Sequence, residues 1–342
     1  MIPTTIRPSA ENITVSRIVF GIRKFRSIFM IKEGDRGVIS VPEIFYIEYI
    51  SYFLPVGPAI FSHRKNYVGE WLIYLITFYI LIDKMDDIKI IDLSPDNIAD
   101  YGVCGYKDVK KHEELRNKID WFGEYYKKGL RIKVLFSRTG GYQGMIEYLP
   151  GEYAHRPVDA KDYMFIHCIF VGFRREYKGK GFGSLLIDEC VRDAKAQKFK
   201  GVAVVTRNGP FMAHNDIFLK KGFQVADSAE PDFELLVQKN DRTAKDPKFR
   251  SGLANIPKEY SKGLTIIRSS QCPYSVKNVN AIMESSRKKF KITPRLIDLK
   301  SSGESQNAPC AFGSFCIIYN GEIIAHHPIS NTRFENIMRK KI

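Results

Sequence analysis

The chain has 342 residues, of which 44% are apolar, and carries a formal net charge of +15. That length and apolar content suit two packed domains and exclude a disordered or fibrous chain. Six cysteines with neither framework nor zinc-ligand spacing exclude a disulfide scaffold and a cysteine-based metal site, and point to a reducing, cytoplasmic setting.

Residues 1–84 form an extension with two aromatic-rich runs, "EIFYIEYISYFLPVGPAIF" and "WLIYLITFYILI". The second is shorter than the roughly 18 residues a bilayer span needs, and the first carries glutamates, so no membrane span is predicted. No charged n-region, apolar core and small-residue cleavage site come together, which predicts no signal peptide. The extension is expected to be an added or poorly ordered arm, with a membrane-touching segment as the alternative.

From Met85, "MDDIKIIDLSPDNIADYGV" reads as a strand and a helix, and "GMIEYLPGEY" as a later strand with its turn. The run Met164 to Phe173, "MFIHCIFVGF", is nearly continuous in apolar residues, as in a strand covered on both faces. Gly179, Gly181 and Gly183 follow at alternate positions. Then Leu185, Leu186, Cys190, Val191 and Ala194 recur at helical spacing. A strand, a glycine loop and a helix in that order aim free N–H groups and a helix dipole at one spot, where an anion is favoured. Lys178 and Lys180 add positive charge. The reading is a diphosphate cradle, with a ligand-free tight turn as the alternative.

Two phosphate motifs are excluded. A Walker loop needs Lys-Ser/Thr after its last glycine, whereas Gly183-Ser184-Leu185 stands here. A dinucleotide fingerprint needs GxGxxG and an acidic end to the next strand, but "GVAVVTRNG" ends in Thr206 and Arg207.

Residues 240–262 are polar, contain two prolines and show no apolar period, so they read as a linker. A short strand then leads to Cys272-Pro273-Tyr274-Ser275, with Val276, Val279, Ile282 and Met283 at helical spacing after it. Phe315 to His327 reads as a hairpin about an Asn-Gly turn, and "NTRFENIMRKK" as a closing helix. The tail is basic, yet "SSRKKFK" is a solvated helix end and no aromatic-interleaved pattern accompanies it, so no nucleic-acid binding is predicted.

Lys178-Gly179-Lys180-Gly181-Phe182-Gly183, preceded by Tyr177 and followed by "GSLL", resembles the pyrophosphate loop of the GNAT superfamily of N-acetyltransferases. "DIFLKKGF", Asp216 to Phe223, resembles that family's closing helix and Gly-Phe element, and "FELLVQK" its last strand. The resemblance spans roughly residues 85–239. It implies an α/β (α+β) acyl-CoA N-acyltransferase fold, acetyl-CoA as cosubstrate, and direct transfer to a small amine or to a protein or peptide amino group, with a homodimer possible. Acetyl-CoA would contact Lys178, Gly179, Lys180, Gly181, Phe182, Gly183 and Ser184, while the backbone around Val171 and Phe173 would pair with the pantetheine arm. One of those N–H groups would stabilise the developing oxyanion. Candidate general bases are His167, Glu147 and Glu152, each with a plain structural alternative. Phe218 stands where many members place a proton-donating tyrosine, and Asn208, Ala213 and Asn215 are out of register with the usual Asn-x-x-Ala.

Residues 263–342 resemble a small thioredoxin-like or glutaredoxin-like domain, and the acetyltransferase with this tail resembles the YoaP-like group. Cys272 would be a candidate redox thiol whose pKa the helix N-terminus lowers, although Ser275 replaces the second cysteine of a CxxC. Gly313 stands where a cis-proline is expected, with Pro309 four positions earlier. Cys310 and Cys316 could resolve an oxidised thiol, Cys316 otherwise being a core residue. The alternative function is therefore a thiol-redox or thiol-binding protein acting through Cys272, with the acetyltransferase fold as an acyl-CoA sensor.

Overall fold

The computed structural model describes residues 88–342 save 107, 109, 110 and 173, together with the short antiparallel pair Met30–Lys32 and Val38–Ser40. The remainder of the extension 1–84, and with it the expectation of a poorly ordered arm, lies outside the described residues. No helix among the described residues is long and apolar enough to cross a membrane.

Thr77–Ile342 form one compact unit whose described residues build two large sheets and a two-stranded pair. The larger has seven strands: β1 (Ile88–Asp92), β2 (Arg131–Ser137), β3 (Gly141–Pro150), β4 (Tyr163–Val171), β5 (Gly201–Arg207), β6 (Gln224–Ala229) and β7 (Phe233–Lys239). Their spatial order is β1-β2-β3-β4-β5-β7-β6. Every neighbouring pair is antiparallel except β4 and β5. The helices of this region are α1 (Ile98–Tyr101), α2 (Glu113–Tyr126), α3 (Phe182–Ala196) and α4 (Asp216–Leu219). The mixed α/β class expected from the sequence is observed.

Alternation along the strands divides the core. On β5, Val202 and Val204 face a cluster with Leu186, Ile187 and Cys190 of α3 and Phe218 of α4. Ala203 and Val205 face the opposite cluster, which holds Leu115, Phe122 and Tyr125 of α2. Because both faces are covered, these strands read as unbroken apolar runs. The helical phase of α3 is the expected one for Leu186, Cys190, Val191 and Ala194, and differs at one residue. Leu185 is 41% exposed, and Ile187 is buried instead. The row that meets the sheet is Leu186, Cys190 and Ala194 at i, i+4 and i+8, with Ile187 beside it.

The second sheet contains β8 (Leu264–Ser269), β9 (Arg295–Leu299), β10 (Phe315–Tyr319) and β11 (Glu322–Ala325) in the order β9-β8-β10-β11. β8 runs parallel to β9 and antiparallel to β10, and β10 antiparallel to β11. Its helices are α5 (Pro273–Lys277), α6 (Val279–Phe290), α7 (Ser302–Gln306) and α8 (Asn331–Met338). The Asn320-Gly321 turn has φ of +49° and +83°, the left-handed pair that matches the twist of a two-residue hairpin. Ile266, Ile317 and Phe334 of this part share one buried cluster with Phe165 and Leu235 of the large sheet.

Residues 240–262, expected as a linker, are laid down against the protein. Lys248–Phe249 pairs with Val158–Asp159, the Tyr163 hydroxyl donates to the Lys245 carbonyl at 2.6 Å, and Tyr260 is buried. The polar composition hid this because the anchoring bonds use backbone groups and a few isolated aromatics.

Candidate active site

The glycine loop sits between β4 and α3. Gly181 is the N-cap of α3 at φ +80°, and Gly179 lies at φ +68°, conformations that favour glycine. Among the described residues, a Cβ at either position would meet nothing within 4 Å, so the backbone is open to a ligand on that side. Gly183 is needed for a different reason: its Cβ would lie 2.5 Å from Ile217 Cδ1, where α3 meets α4. Lys178 and Lys180 are exposed and the first turn of α3 holds no acidic residue, which keeps the site favourable to an anion.

β4 and β5 pair only from Tyr163↔Gly201 to Ile166↔Val204. Beyond that point β4 stays with β3 and β5 with β7, and the two parallel strands part. The departure coincides with a bulge: Glu147 opposes Cys168 and Tyr148 opposes Ile166, so His167 is the unpaired residue. A cavity of about 560 Å³ adjoins the end of β5, lined by Thr206, Arg207, Asn215, Asp232 and Glu234 among others. Thr206 Oγ1 is buried there with no hydrogen-bond partner among the described residues.

Behind the bulge, on the α2 side, lies a buried polar network. Glu147 accepts from Lys118 Nζ, from His167 Nδ1 at 3.2 Å and from Gln271 Nε2 at 2.8 Å. His167 Nε2 accepts the backbone N–H of His155 at 2.8 Å, so its proton resides on Nδ1 and is donated to Glu147. The Trp121 indole donates to His155 Nε2 at 3.1 Å, which places the His155 proton on Nδ1, facing Ser305 Oγ at 3.0 Å. Burial lowers His167 to about 4 against the opposing pull of Glu147, and holds His155 well below the ordinary histidine range. Both rings are neutral. Burial alone would raise Glu147, but Lys118 and His167 bring it down to about 2; Glu147 in turn keeps Lys118 above its ordinary value despite burial. Arg156, also buried, donates to the His155 carbonyl at 3.0 Å, to Ser314 Oγ at 3.1 Å and to the His167 carbonyl at 3.4 Å.

Two of the three candidate bases, His167 and Glu147, are engaged in this network, and the third lies outside it. His167 has both ring nitrogens committed and no lone pair free for an amine. Glu147 is the counter-ion of Lys118 and is fully buried. Glu152 is exposed on the turn after β3, at the Pro150↔Met164 end of the pairing, away from the parting of β4 and β5. Phe218 is wholly buried and packs on Phe223 with ring centroids 5.4 Å apart, so it supplies no proton. Val171 ends β4 on the opening side, and Phe173 lies outside the described residues.

Cys272 stands apart from these groups. It caps α5 and is half-buried; the N–H groups of Tyr274 and Ser275 and the Lys118 charge favour its thiolate, while desolvation pulls the other way and raises the thiol. A helix of five residues has too small a dipole to reverse that. Lys118, His155, Arg156 and Gln271 escaped sequence reasoning. One signal was available: Lys118 falls on the Leu115–Phe122–Tyr125 stripe of α2, where a lysine must find a buried partner.

Residues 295–336 match a family model described as YoaP-like. The chain is 30% identical over 251 residues to the uncharacterized N-acetyltransferase YoaP of Bacillus subtilis (strain 168), covering 72% of this chain and 97% of that protein. Among solved structures, yncA of Salmonella typhimurium with its cofactor acetyl-CoA aligns at 14% identity and a TM-score of 0.35, over 47% of this chain and 98% of its own. The PaiA N-acetyltransferase of Thermoplasma acidophilum with coenzyme A aligns at 16% and 0.31, over 44% and 98%. On the extent and identity of the match to the Bacillus protein, the chain belongs to the YoaP family of N-acetyltransferases.

Proposed function

We propose that the protein transfers an acetyl group from acetyl-CoA directly to the amino group of a small molecule or peptide. The observation that carries this reading is the parting of β4 and β5 beside an open glycine turn at the N-terminus of α3. The turn from Lys178 to Ser184 would hold the diphosphate through backbone N–H groups, and the exposed edge of β4 up to Val171 would take the pantetheine amides as a strand takes its neighbour. Acetyl-CoA supplies an activated acyl thioester. The chain contributes backbone donors near the bulge to the developing oxyanion, and the buried Lys118–Glu147–His167 network holds that bulge in shape.

The acids at the cavity beside β5 favour an amine acceptor. Glu234 receives Asn215 Nδ2 at 2.7 Å and Asp232 pairs with Arg207 at 2.7 Å, while Glu230 adds a further carboxylate to the lining. An ammonium is drawn to such a wall and must lose a proton before attack. With His167 and Glu147 engaged, a water chain is the proton path that fits.

The carboxy-terminal part is proposed to be thioredoxin-like, supported by its strand order and by a single parallel pair at one edge. Its role in this reading is to close the α2 side of the site through Gln271. The six unpaired cysteines suit a cytoplasmic location.

Calorimetric titration of acetyl-CoA into the full chain tests the reading, followed by coenzyme A release with a panel of amines. Micromolar binding and amine-dependent release are expected. A full chain that binds no acetyl-CoA would overturn the assignment.

A further inference from the structure

The cavity beside the end of β5 is walled by that strand, by the start of α4 and by the turn between β6 and β7. Among the described residues its lining carries three carboxylates, Glu230, Asp232 and Glu234, against one guanidinium, Arg207. The Arg207 head is held in place. Nη2 donates to Asp232 Oδ1 at 2.7 Å, and the group lies 4.7 Å over the Phe233 ring. Its Nε is nevertheless buried with no hydrogen-bond partner among the described residues, as is Oγ1 of the fully buried Thr206 before it. A guanidinium N–H can only donate, and a threonine hydroxyl can donate as well. Two consecutive residues with unsatisfied buried donors on one cavity wall call for an oxygen that the chain does not supply.

The pairing of β5 with β7 sets Thr206 directly opposite Glu234. Side chains so opposed share a face of the sheet, with Cβ atoms about 5 Å apart. A donor to oxygen and an acceptor of cations are therefore neighbours. Glu234 is half-buried and receives Asn215 Nδ2 at 2.7 Å, which orients its carboxylate and leaves it capacity for an ammonium.

We propose that this cavity recognises an α-aminoacyl amide, the head shared by a peptide amino terminus and a small amino-acid amide. The α-ammonium lies on Glu234, and the adjoining carbonyl oxygen receives Thr206 and Arg207. The acetyl-transfer reading is needed only for what then becomes of the amine. In such a head the nitrogen and the carbonyl sit on neighbouring atoms of the chain, which suits the short span from Glu234 to Thr206. A plain alkylamine would pair with Glu234 yet leave both donors unsatisfied. A free amino acid would bring a further carboxylate to a wall whose acids already outnumber its one guanidinium. An α-amine also suits a site in which His167 and Glu147 are engaged. Its pKa of about 8, against about 10.4 for a lysine amine, leaves more free base at neutral pH.

The test is the affinity of the full chain, with coenzyme A present, for alaninamide, isopropylamine, alanine and an alanyl tripeptide amide, by saturation-transfer magnetic resonance. Both amides are expected to bind about tenfold more tightly than isopropylamine or alanine. A tripeptide amide that binds more tightly than alaninamide assigns the head to peptide termini, and equal affinity assigns it to small amides; either supports the site. Thr206→Val removes only an unpaired hydroxyl, so thermal stability should hold while alaninamide affinity falls about three- to tenfold and isopropylamine affinity stays. Thr206→Ser should restore alaninamide binding. Glu234→Gln should weaken every amine. Alaninamide binding without acetyl transfer would keep this site and remove the transfer reading. Equal affinity for alaninamide and isopropylamine, a preference for alanine, or no binding at all would overturn the proposal on the unmodified chain, whether or not the variants fold.

Discussion

The Lys118 ammonium donates to the backbone carbonyl of Gln271 at 2.7 Å, tying α2 of the large sheet to the loop that presents Cys272. The same ammonium pairs with Glu147, which also accepts the Gln271 side chain at 2.8 Å. One buried ion pair thus fastens the two sheets together.

Lys118→Met leaves Glu147 buried with no cation beside it, at an expected cost of about 3–5 kcal/mol. Adding Glu147→Gln removes the stranded charge and should recover part of the loss. Urea unfolding of both variants measures the difference. A double variant no more stable than Lys118→Met would show that the pair is not coupled.

His167 titrates at about 4 in the fold against about 6.5 for an ordinary histidine. Between those values the unfolded chain takes up a proton that the folded protein does not. Stability is therefore full above about pH 6.5 and falls as pH drops towards about 4. His155 acts in the same direction. Glu147, at about 2 against about 4.3 unfolded, adds a second loss at lower pH. The urea midpoint measured from pH 8 to 4 should decline, and the decline should be shallower in His167→Gln. Equal slopes would mean that His167 protonates freely in the fold.

Gly181→Asp keeps a residue type that tolerates φ > 0, so its folding cost should stay near 1 kcal/mol. Its charge opposes a diphosphate, and acetyl-CoA affinity should fall by about tenfold or more. Calorimetry and thermal melting separate the two effects. Unchanged affinity in a folded variant would move the cofactor away from this loop.

Gly313→Ala places a Cβ 2.6 Å from the His155 oxygen and 2.7 Å from Arg156 Cα, at φ +71°. Backbone must shift, and a loss of roughly 2 kcal/mol or more is expected. Because residues of both sheets share one buried cluster, unfolding should remain a single transition by far-ultraviolet circular dichroism and by calorimetry. Two separated transitions would show that the sheets unfold independently.

What the sequence settled by itself was local. Three glycines before a helical period marked the loop at Gly179 to Gly183, and Asn320-Gly321 marked a hairpin, because φ > 0 is a property of one or two residues. The apolar run from Met164 marked a strand covered on both sides for an equally local reason.

Tertiary structure alone decided the rest. That Ile187 rather than Leu185 of α3 is buried depended on which row the sheet accepts. The strap at 240–262 depended on backbone groups of Val158–Asp159 and on Asp227, which receives Phe249 N–H at 2.9 Å. His167 and Glu147 look like bases in the sequence. Their buried hydrogen bonds come from Lys118, His155 and Gln271, which reach them from elsewhere in the chain. Cys272 looks activated by its helix, but desolvation opposes that activation, and desolvation is the sum of everything packed around a site. Local torsion preferences are written residue by residue, whereas desolvation and charge pairing exist only once distant segments share the same space.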